Sequence, residues 1–284
     1  MNKYSKAMAL SLFLVAPSVM AFQSDFCPSS QCTPVWHMAG ATPGYDNHGQ
    51  GWIANNPATN IQYDSKNGVM VVKYNHSKPG DVEHTSYVSF ELFNPLAAPH
   101  PEFRQHGFLT ATITVTGTQS PAELKNRIWP AFWLCGPAWP TQGEIDMAEY
   151  MGTVQNLTTN TNLHGGPAKS NRPRPYAVRY NVSGLGDIGV PHIYGVEWEK
   201  VNNGYWLRIY FDNALKGQTF LSSNSATYPD VAIIRGLTDT HGNAMRLRFD
   251  TDDVGSLGGD GAARGQPALN YQMKIENVQA YSVK

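Results

Sequence analysis

The chain has 284 residues, 21 Lys and Arg against 22 Asp and Glu, and only 15% charged residues beside 41% hydrophobic ones. Its 26 Gly, 19 Pro, 14 Tyr and 7 Trp favour short strands and many turns, and exclude disordered and coiled-coil classes. A length of this order suits one large domain, because all-β sandwiches of this size commonly fold as one unit.

At the amino terminus Lys3 and Lys6 precede an apolar run from Met8 to Val15, and Val19-Met20-Ala21 ends on a small residue. This pattern predicts a secretory signal over residues 1–21, which leaves 22–284 as a single mature domain. The apolar run is far shorter than the ~20 residues that span a bilayer, and no later stretch qualifies. Removing the signal leaves 19 basic residues against 22 acidic ones, a net charge of −3. With no basic stripe left, nucleic acid and anionic membranes are excluded as partners, since both draw most of their affinity from clustered Lys and Arg. A neutral partner and an exported monomer, secreted or periplasmic, are expected.

Cys27 and Cys32 are close enough to form a small disulfide in an oxidising compartment. Their spacing and the lack of a second pair argue against zinc. Cys135, within Trp133-Leu134-Cys135-Gly136, is expected to pack as a small hydrophobe.

Strand signals follow. Asn67-Gly68 lies between the β-prone runs Ile61 to Tyr63 and Val69 to Tyr74, which predicts a hairpin. Tyr205, Leu207, Ile209 and Phe211 alternate with Trp206, Arg208, Tyr210 and Asp212, and Met245, Leu247 and Phe249 with Arg246, Arg248 and Asp250. Both runs read as half-buried antiparallel strands. No 15-residue window shows a capped amphipathic helix, so only short helical turns are expected. The Gly-rich stretch 255–265 reads as a surface loop. Two stacked antiparallel sheets account for the pattern.

The densest segment runs from Arg127 to Tyr150. Three of the seven tryptophans, Trp129, Trp133 and Trp139, precede three carboxylates within six residues: Glu144, Asp146 and Glu149. On a strand Glu144 and Asp146 share a face, while an unperturbed register sends Glu149 to the other. One extra residue, a β-bulge at Met147-Ala148, returns Glu149 to the shared face. Three like charges in a row repel, and partial burial raises the pKa of at least one, as a general acid requires. A solvated polar face is the alternative, but it gains nothing from adjacent tryptophans. Aromatic rings beside acids suggest a sugar site.

This stretch resembles the bulged Glu-x-Asp-x-x-Glu signature of glycoside hydrolase family 16. Trp-Pro-Ala-Phe-Trp before it and Trp-Pro-x-x-Gly-Glu-Ile-Asp leading into it resemble the endo-β-1,3-glucanase, or laminarinase-like, branch. The resemblance continues more weakly through Leu163-His164-Gly165, His192 to Trp198, Ile209 to Asp212 and Met273 to Tyr281. It implies a β-jelly-roll sandwich of two curved antiparallel sheets, concanavalin A-like, with the active site across the concave one. It also implies that Glu144 is the nucleophile, Glu149 the acid/base, and Asp146 a hydrogen-bond partner of Glu144.

The same resemblance makes Trp129 and Trp139 sugar platforms and leaves Trp133 either in the cleft or in the core. Arg127 would line the cleft and His164 would contact substrate on the leaving-group side. No cofactor is required, although the family often binds a structural calcium through an acid of the last strand, where Glu276 stands here. Two departures touch the subsites. The strand around Gly107 to Thr112 lacks the usual Glu and Arg, and Met245 to Gly259 replaces a usual Asn-Leu-Ala-Val-Gly-Gly stretch.

Other motifs fail. Gly184 to Gly189 spells a dinucleotide fingerprint, but Pro191 and a strand follow where a helix is needed. Neither a His-Glu-x-x-His pair nor a Gly-x-Ser-x-Gly elbow occurs. The expectation is an endo-acting retaining hydrolase of a β-linked polysaccharide, with β-1,3-glucan first and mixed-linkage β-1,3(4)-glucan next. A transglycosylase, an agarase or carrageenase, and a non-catalytic β-glucan-binding protein are the alternatives.

Overall fold

Alternating apolar residues need two partners, neighbouring strands for the backbone and an opposing layer for the buried face. A computed structural model supplies both, and it describes residues 31–44, 60–76, 86–92, 101–118, 127–150, 159–166, 189–225, 228–239, 245–253 and 269–284. The expected signal segment, Cys27 and the Gly-rich stretch 255–265 lie outside the described residues.

The strands are β1 (Cys32–His37), β2 (Ile61–Asp64), β3 (Val69–His76), β4 (Ser86–Glu91), β5 (His106–Gly117), β6 (Ile128–Cys135), β7 (Glu144–Tyr150), β8 (Thr159–His164), β9 (His192–Val201), β10 (Gly204–Phe211), β11 (Ala214–Ser222), β12 (Arg246–Asp253) and β13 (Leu269–Val283). Among the described residues, the helices α1 (Pro101–Gln105) and α2 (Tyr228–Thr238) interrupt them. Among the described residues the strands form an eight-stranded sheet, ordered β11-β10-β9-β5-β13-β3-β2 with β1 also on β13, and a five-stranded sheet, ordered β4-β12-β6-β7-β8. Every registered pair is antiparallel. This is the expected β-jelly-roll sandwich.

The hairpin forms where Asn67-Gly68 predicts it. Gly68 takes φ +62°, a conformation that costs glycine little. The Asp64 carboxylate accepts from the Lys66 and Asn67 backbone N–H groups at 3.1 and 3.2 Å, which closes the turn. Between the sheets, Leu109, Ile113, Val196, Trp198, Leu207 and Ile275 of the larger sheet meet Phe132, Leu134, Ile145, Met147, Leu247 and Phe249 of the smaller in one core cluster. Phe132 and Phe249 stack at 5.0 Å and 7° across adjacent strands. Burying one such side chain stabilises by about 1.5–3 kcal/mol.

Two expectations need correction. Helix α2 is eleven residues long, more than a helical turn. It buries Pro229, Ala232, Ile233, Gly236 and Leu237, which is the i, i+3, i+4, i+7, i+8 stripe of an amphipathic helix. Pro and Gly occupy two of the five positions, so the stripe carries little hydrophobic signal. The second correction concerns β12, which is buried on both faces: Met245, Leu247 and Phe249 enter the core, yet Arg248 and Asp250 on the other face are buried too.

Candidate active site

The loop entering β7 is fixed from below by α2. Gly143 has φ +69°, and a Cβ there would meet the Ile233 backbone N at 2.6 Å. Only a residue without a side chain fits between the helix and the start of the strand. Gln142 is buried, and its Oε1 accepts from the Ala138 N–H at 2.7 Å. That contact ties the turn carrying Trp139 to the same loop, so Glu144 starts from an anchored backbone.

The bulge falls where the acid spacing requires it. Against β6, Glu144 lies opposite Cys135, Asp146 opposite Trp133, Ala148 opposite Phe132 and Glu149 opposite Ala131, so Met147 is the extra residue. Against β8, Asp146 pairs with Asn162 and Glu149 with Asn160, leaving one residue of β8 opposite two of β7. Ile145, Met147 and Ala148 belong to the core between the sheets. Glu144, Asp146 and Glu149 therefore share the other face, beside the cluster of Ala131, Trp133 and Cys135 against which Trp139 packs.

The three acids are not solvated. Asp146 and Glu149 are 3% and 7% exposed, and the Glu144 side chain is mostly buried. Burial first, then repulsion from Asp146 and Glu149, carries the Glu144 carboxyl well above the usual carboxylate range, while attraction to His164 and a hydrogen bond from Cys135 oppose the rise. Asp146 is likewise raised well above that range by burial, by the charges of Glu149 and Asp250, and by a hydrogen bond shared with Glu149. Two carboxyl groups joined by a hydrogen bond hold a proton between them. Asp146 is thus bonded to Glu149, whereas it acts on Glu144 by repulsion through space.

His164 faces the same row. Its Nε2 lies 3.0 Å from Asp146 Oδ2 and 3.7 Å from Glu144 Oε1. The contact with Asp146 lacks hydrogen-bond geometry, and Oδ2 is buried without a hydrogen-bond partner. Glu144, Asp146 and His164 also offer three ligand atoms within 4.8 Å of one another.

The tryptophans divide. Trp129 is 9% exposed, and its indole N–H donates to Glu149 Oε1 at 3.1 Å. Trp133 is buried, donates to Asp250 Oδ1 at 2.5 Å and lies under the Arg248 guanidinium at 5.4 Å. Trp139 is half-buried, the most exposed of the three, and its Nε1 is buried without a hydrogen-bond partner. Arg127 stands half-buried at the mouth of β6. Glu276 lies on the larger sheet and pairs with Lys274 at 2.8 Å; it joins no group of three metal-ligand side chains among the described residues. Cys32 is disulfide-bonded and Cys135 is free and buried.

Asn162 and Asp250 were not singled out in the sequence. Asn162 donates its Nδ2 to Glu149 Oε2, and Asp250 adds a fourth buried carboxyl to the floor of the site. Their register opposite β6 and β7 brings them in, and alternation within either strand alone does not reveal it.

Residues 111–182, which hold the whole acid row, match the family model described as XgeA-like, catalytic GH16 domain. Over those residues, about a quarter of its length, the chain is similar to the catalytic domain of glycoside hydrolase family 16. Among solved structures, it is similar to an endo-1,3-β-glucanase from Streptomyces sioyaensis at 16% identity and TM-score 0.61, over 91% of this chain and 99% of that one. A non-specific endo-β-1,3(4)-glucanase of family 16, SCLam, aligns at 16% identity and TM-score 0.55, over 91% and 93% of the two chains. An endo-β-1,4-glucuronan lyase from the fungus Trichoderma reesei aligns at 14% identity and TM-score 0.51, over 85% and 95%. At such identities the likeness is one of fold, and the fold alone serves more than one reaction. No curated protein matches the chain. Among the described residues no helix is long and apolar enough to cross a membrane.

Proposed function

We propose that this enzyme is exported and hydrolyses internal bonds of a neutral β-linked glucan with retention of anomeric configuration, β-1,3-glucan of the laminarin type first and mixed-linkage β-1,3(4)-glucan second. The observation that carries the reading is the bulge at Met147, which puts Glu144 and Glu149 on one face of one strand with Asp146 between them. Retaining hydrolysis needs two carboxyl groups about 5–5.5 Å apart, one nucleophilic and one protonated. Long glutamate side chains at both ends of a bulged row are suited to that gap.

Burial and the neighbouring acids raise Glu144 on balance, and His164, on its side of the row, opposes that rise and so works toward the ionised nucleophile. The hydrogen bond between Asp146 and Glu149 keeps a proton beside the leaving-group oxygen. Glu149 gives its proton to that oxygen as Glu144 attacks the anomeric carbon, the bond to the leaving sugar breaks, and a glycosyl-enzyme forms. Glu149, now ionised, then takes a proton from water, whose oxygen attacks the same carbon and releases Glu144. Two tryptophan motifs and the near-neutral chain favour an uncharged glucan over a sulfated one.

A reducing-end assay on laminarin, lichenan, agarose, carrageenan and xyloglucan tests this. Release from laminarin and lichenan is expected, and Glu144→Gln is expected to lower it by at least about 10⁴-fold. Wild-type turnover by Glu144→Gln would overturn the assignment. Silence of the native enzyme on all five would favour a binding protein, and transfer to added oligosaccharide in place of water would favour a transglycosylase.

A further inference from the structure

Glu149 is gripped at both oxygens. The Trp129 indole N–H donates to Oε1 at 3.1 Å, and the Asn162 amide donates to Oε2. These donors come from the two strands that flank β7, so the carboxyl is held in its plane from either side. Both donors are buried, in a site where a hydrogen bond is stronger than it is in water. Both are neutral and neither can be an acceptor at the atom concerned: an indole N–H and an amide N–H only donate. They therefore favour Glu149 as carboxylate over Glu149 as acid.

That preference has a consequence for a general acid. As Glu149 passes its proton to the leaving oxygen, negative charge grows on the two atoms that these N–H groups already face. Donors fixed in advance toward a developing charge stabilise the transition state more than the ground state. Asp146, hydrogen-bonded to the same carboxyl, offsets the opposite cost by keeping a proton available before reaction.

We infer that Trp129 and Asn162 are positioning residues that clamp the Glu149 carboxyl and stabilise its charge as it loses the proton, so that Trp129 serves the acid/base and not a sugar ring. The inference rests on the reading of Glu149 as acid/base, and the test separates the two.

Asn162→Ala, Trp129→Phe and Glu149→Gln are compared with wild type on the polysaccharide selected by the assay above and on the 2,4-dinitrophenyl glycoside of its disaccharide. Departure of dinitrophenolate needs no proton, so kcat/KM on that substrate bypasses the general acid. The ratio of kcat/KM between the two substrates, taken on one preparation, is independent of any misfolded fraction. Asn162→Ala and Trp129→Phe are expected to lose roughly 10- to 100-fold on the polysaccharide and less than about 3-fold on the aryl glycoside. The alkaline limb of kcat/KM on the polysaccharide should move up by about 1 pH unit in each, because each loses one hydrogen bond to a charged group.

Equal losses on both substrates, or an unmoved alkaline limb, would overturn the clamp. A raised KM with kcat and limb unchanged in Trp129→Phe would return that ring to sugar binding. If Glu149→Gln itself shows equal losses on both substrates, the acid/base reading fails and the clamp falls with it. If Glu149→Gln is selective and the two other variants are not, only the clamp fails.

Discussion

Among the described residues, two clusters of acids on strands behave oppositely. On the larger sheet, Glu197 and Glu199 of β9 lie beside His106 of β5 and Arg208 of β10. Glu197 accepts from His106 Nε2 at 2.7 Å, Arg208 Nη1 at 3.0 Å and Tyr210 Oη at 2.6 Å, and Glu199 accepts from Arg208 Nη2 at 2.7 Å. Burial alone would raise the Glu197 carboxyl, yet these bonds and the Arg208 charge outweigh it and hold the group below its ordinary value. On the smaller sheet, burial and mutual repulsion raise Glu144 and Asp146 well above theirs. A half-buried carboxylate surrounded by donors is settled and structural. A buried row in which repulsion between acids outweighs the one facing imidazole tends to hold protons, and it can therefore deliver them.

Catalysis separates the clusters by the widest margin. Glu149→Gln should lower polysaccharide kcat/KM by about 10²- to 10⁴-fold, the usual contribution of a general acid, whereas Glu197→Gln should leave steady-state rates within about 2-fold at temperatures where it is folded. A large activity loss in Glu197→Gln at full folding would break the distinction.

The same comparison predicts opposite signs in stability. Asp146 binds a proton more tightly in the folded chain than in the unfolded one, so its contribution falls as pH rises from the ordinary carboxylate range toward its raised value. Asp146→Asn removes that cost and should raise Tm at pH 7 while impairing turnover. Glu197, with its lowered pKa, contributes stability above the unfolded value that is lost as pH falls through the folded one. Glu197→Gln should lower Tm at pH 7, and the gap from wild type should close at acid pH. Each shift amounts to a few degrees, at roughly 2–4 °C for each kcal/mol. Thermal unfolding between pH 3 and pH 8 checks both, and shifts of one sign in the two variants would contradict the account.

One half of this contrast, the acid row of β7, was legible in the sequence. The acid spacing requires a bulge whatever the rest of the chain does, because side-chain alternation is a local property. The Asn67-Gly68 hairpin and the buried face of Tyr205, Leu207, Ile209 and Phe211 are local in the same sense. What escaped depends on partners far along the chain. Arg248 and Asp250 read as a solvent face until β12 is placed beside β6. Asn162 has no signal of its own, since its importance comes from pairing opposite Asp146 across a bulge that displaces Glu149. Trp129 illustrates a different limit: the sequence puts an aromatic near the acids, but only the fold turns its N–H inward onto Glu149. Helix α2 was obscured because the contact under Gly143 demands a small residue, Gly236, in its buried stripe, where a Cβ would meet the Gln142 carbonyl oxygen at 2.3 Å.

The central claim is that Glu144 forms a covalent bond with the sugar. A 2-deoxy-2-fluoro-β-laminaribiosyl fluoride slows both chemical steps but carries a leaving group that departs readily, so the glycosyl-enzyme accumulates. Peptide mass spectrometry after digestion should find one disaccharide adduct, carried by Glu144. An adduct on Glu149 or another carboxylate, or none at all from an enzyme that hydrolyses laminarin, would contradict it.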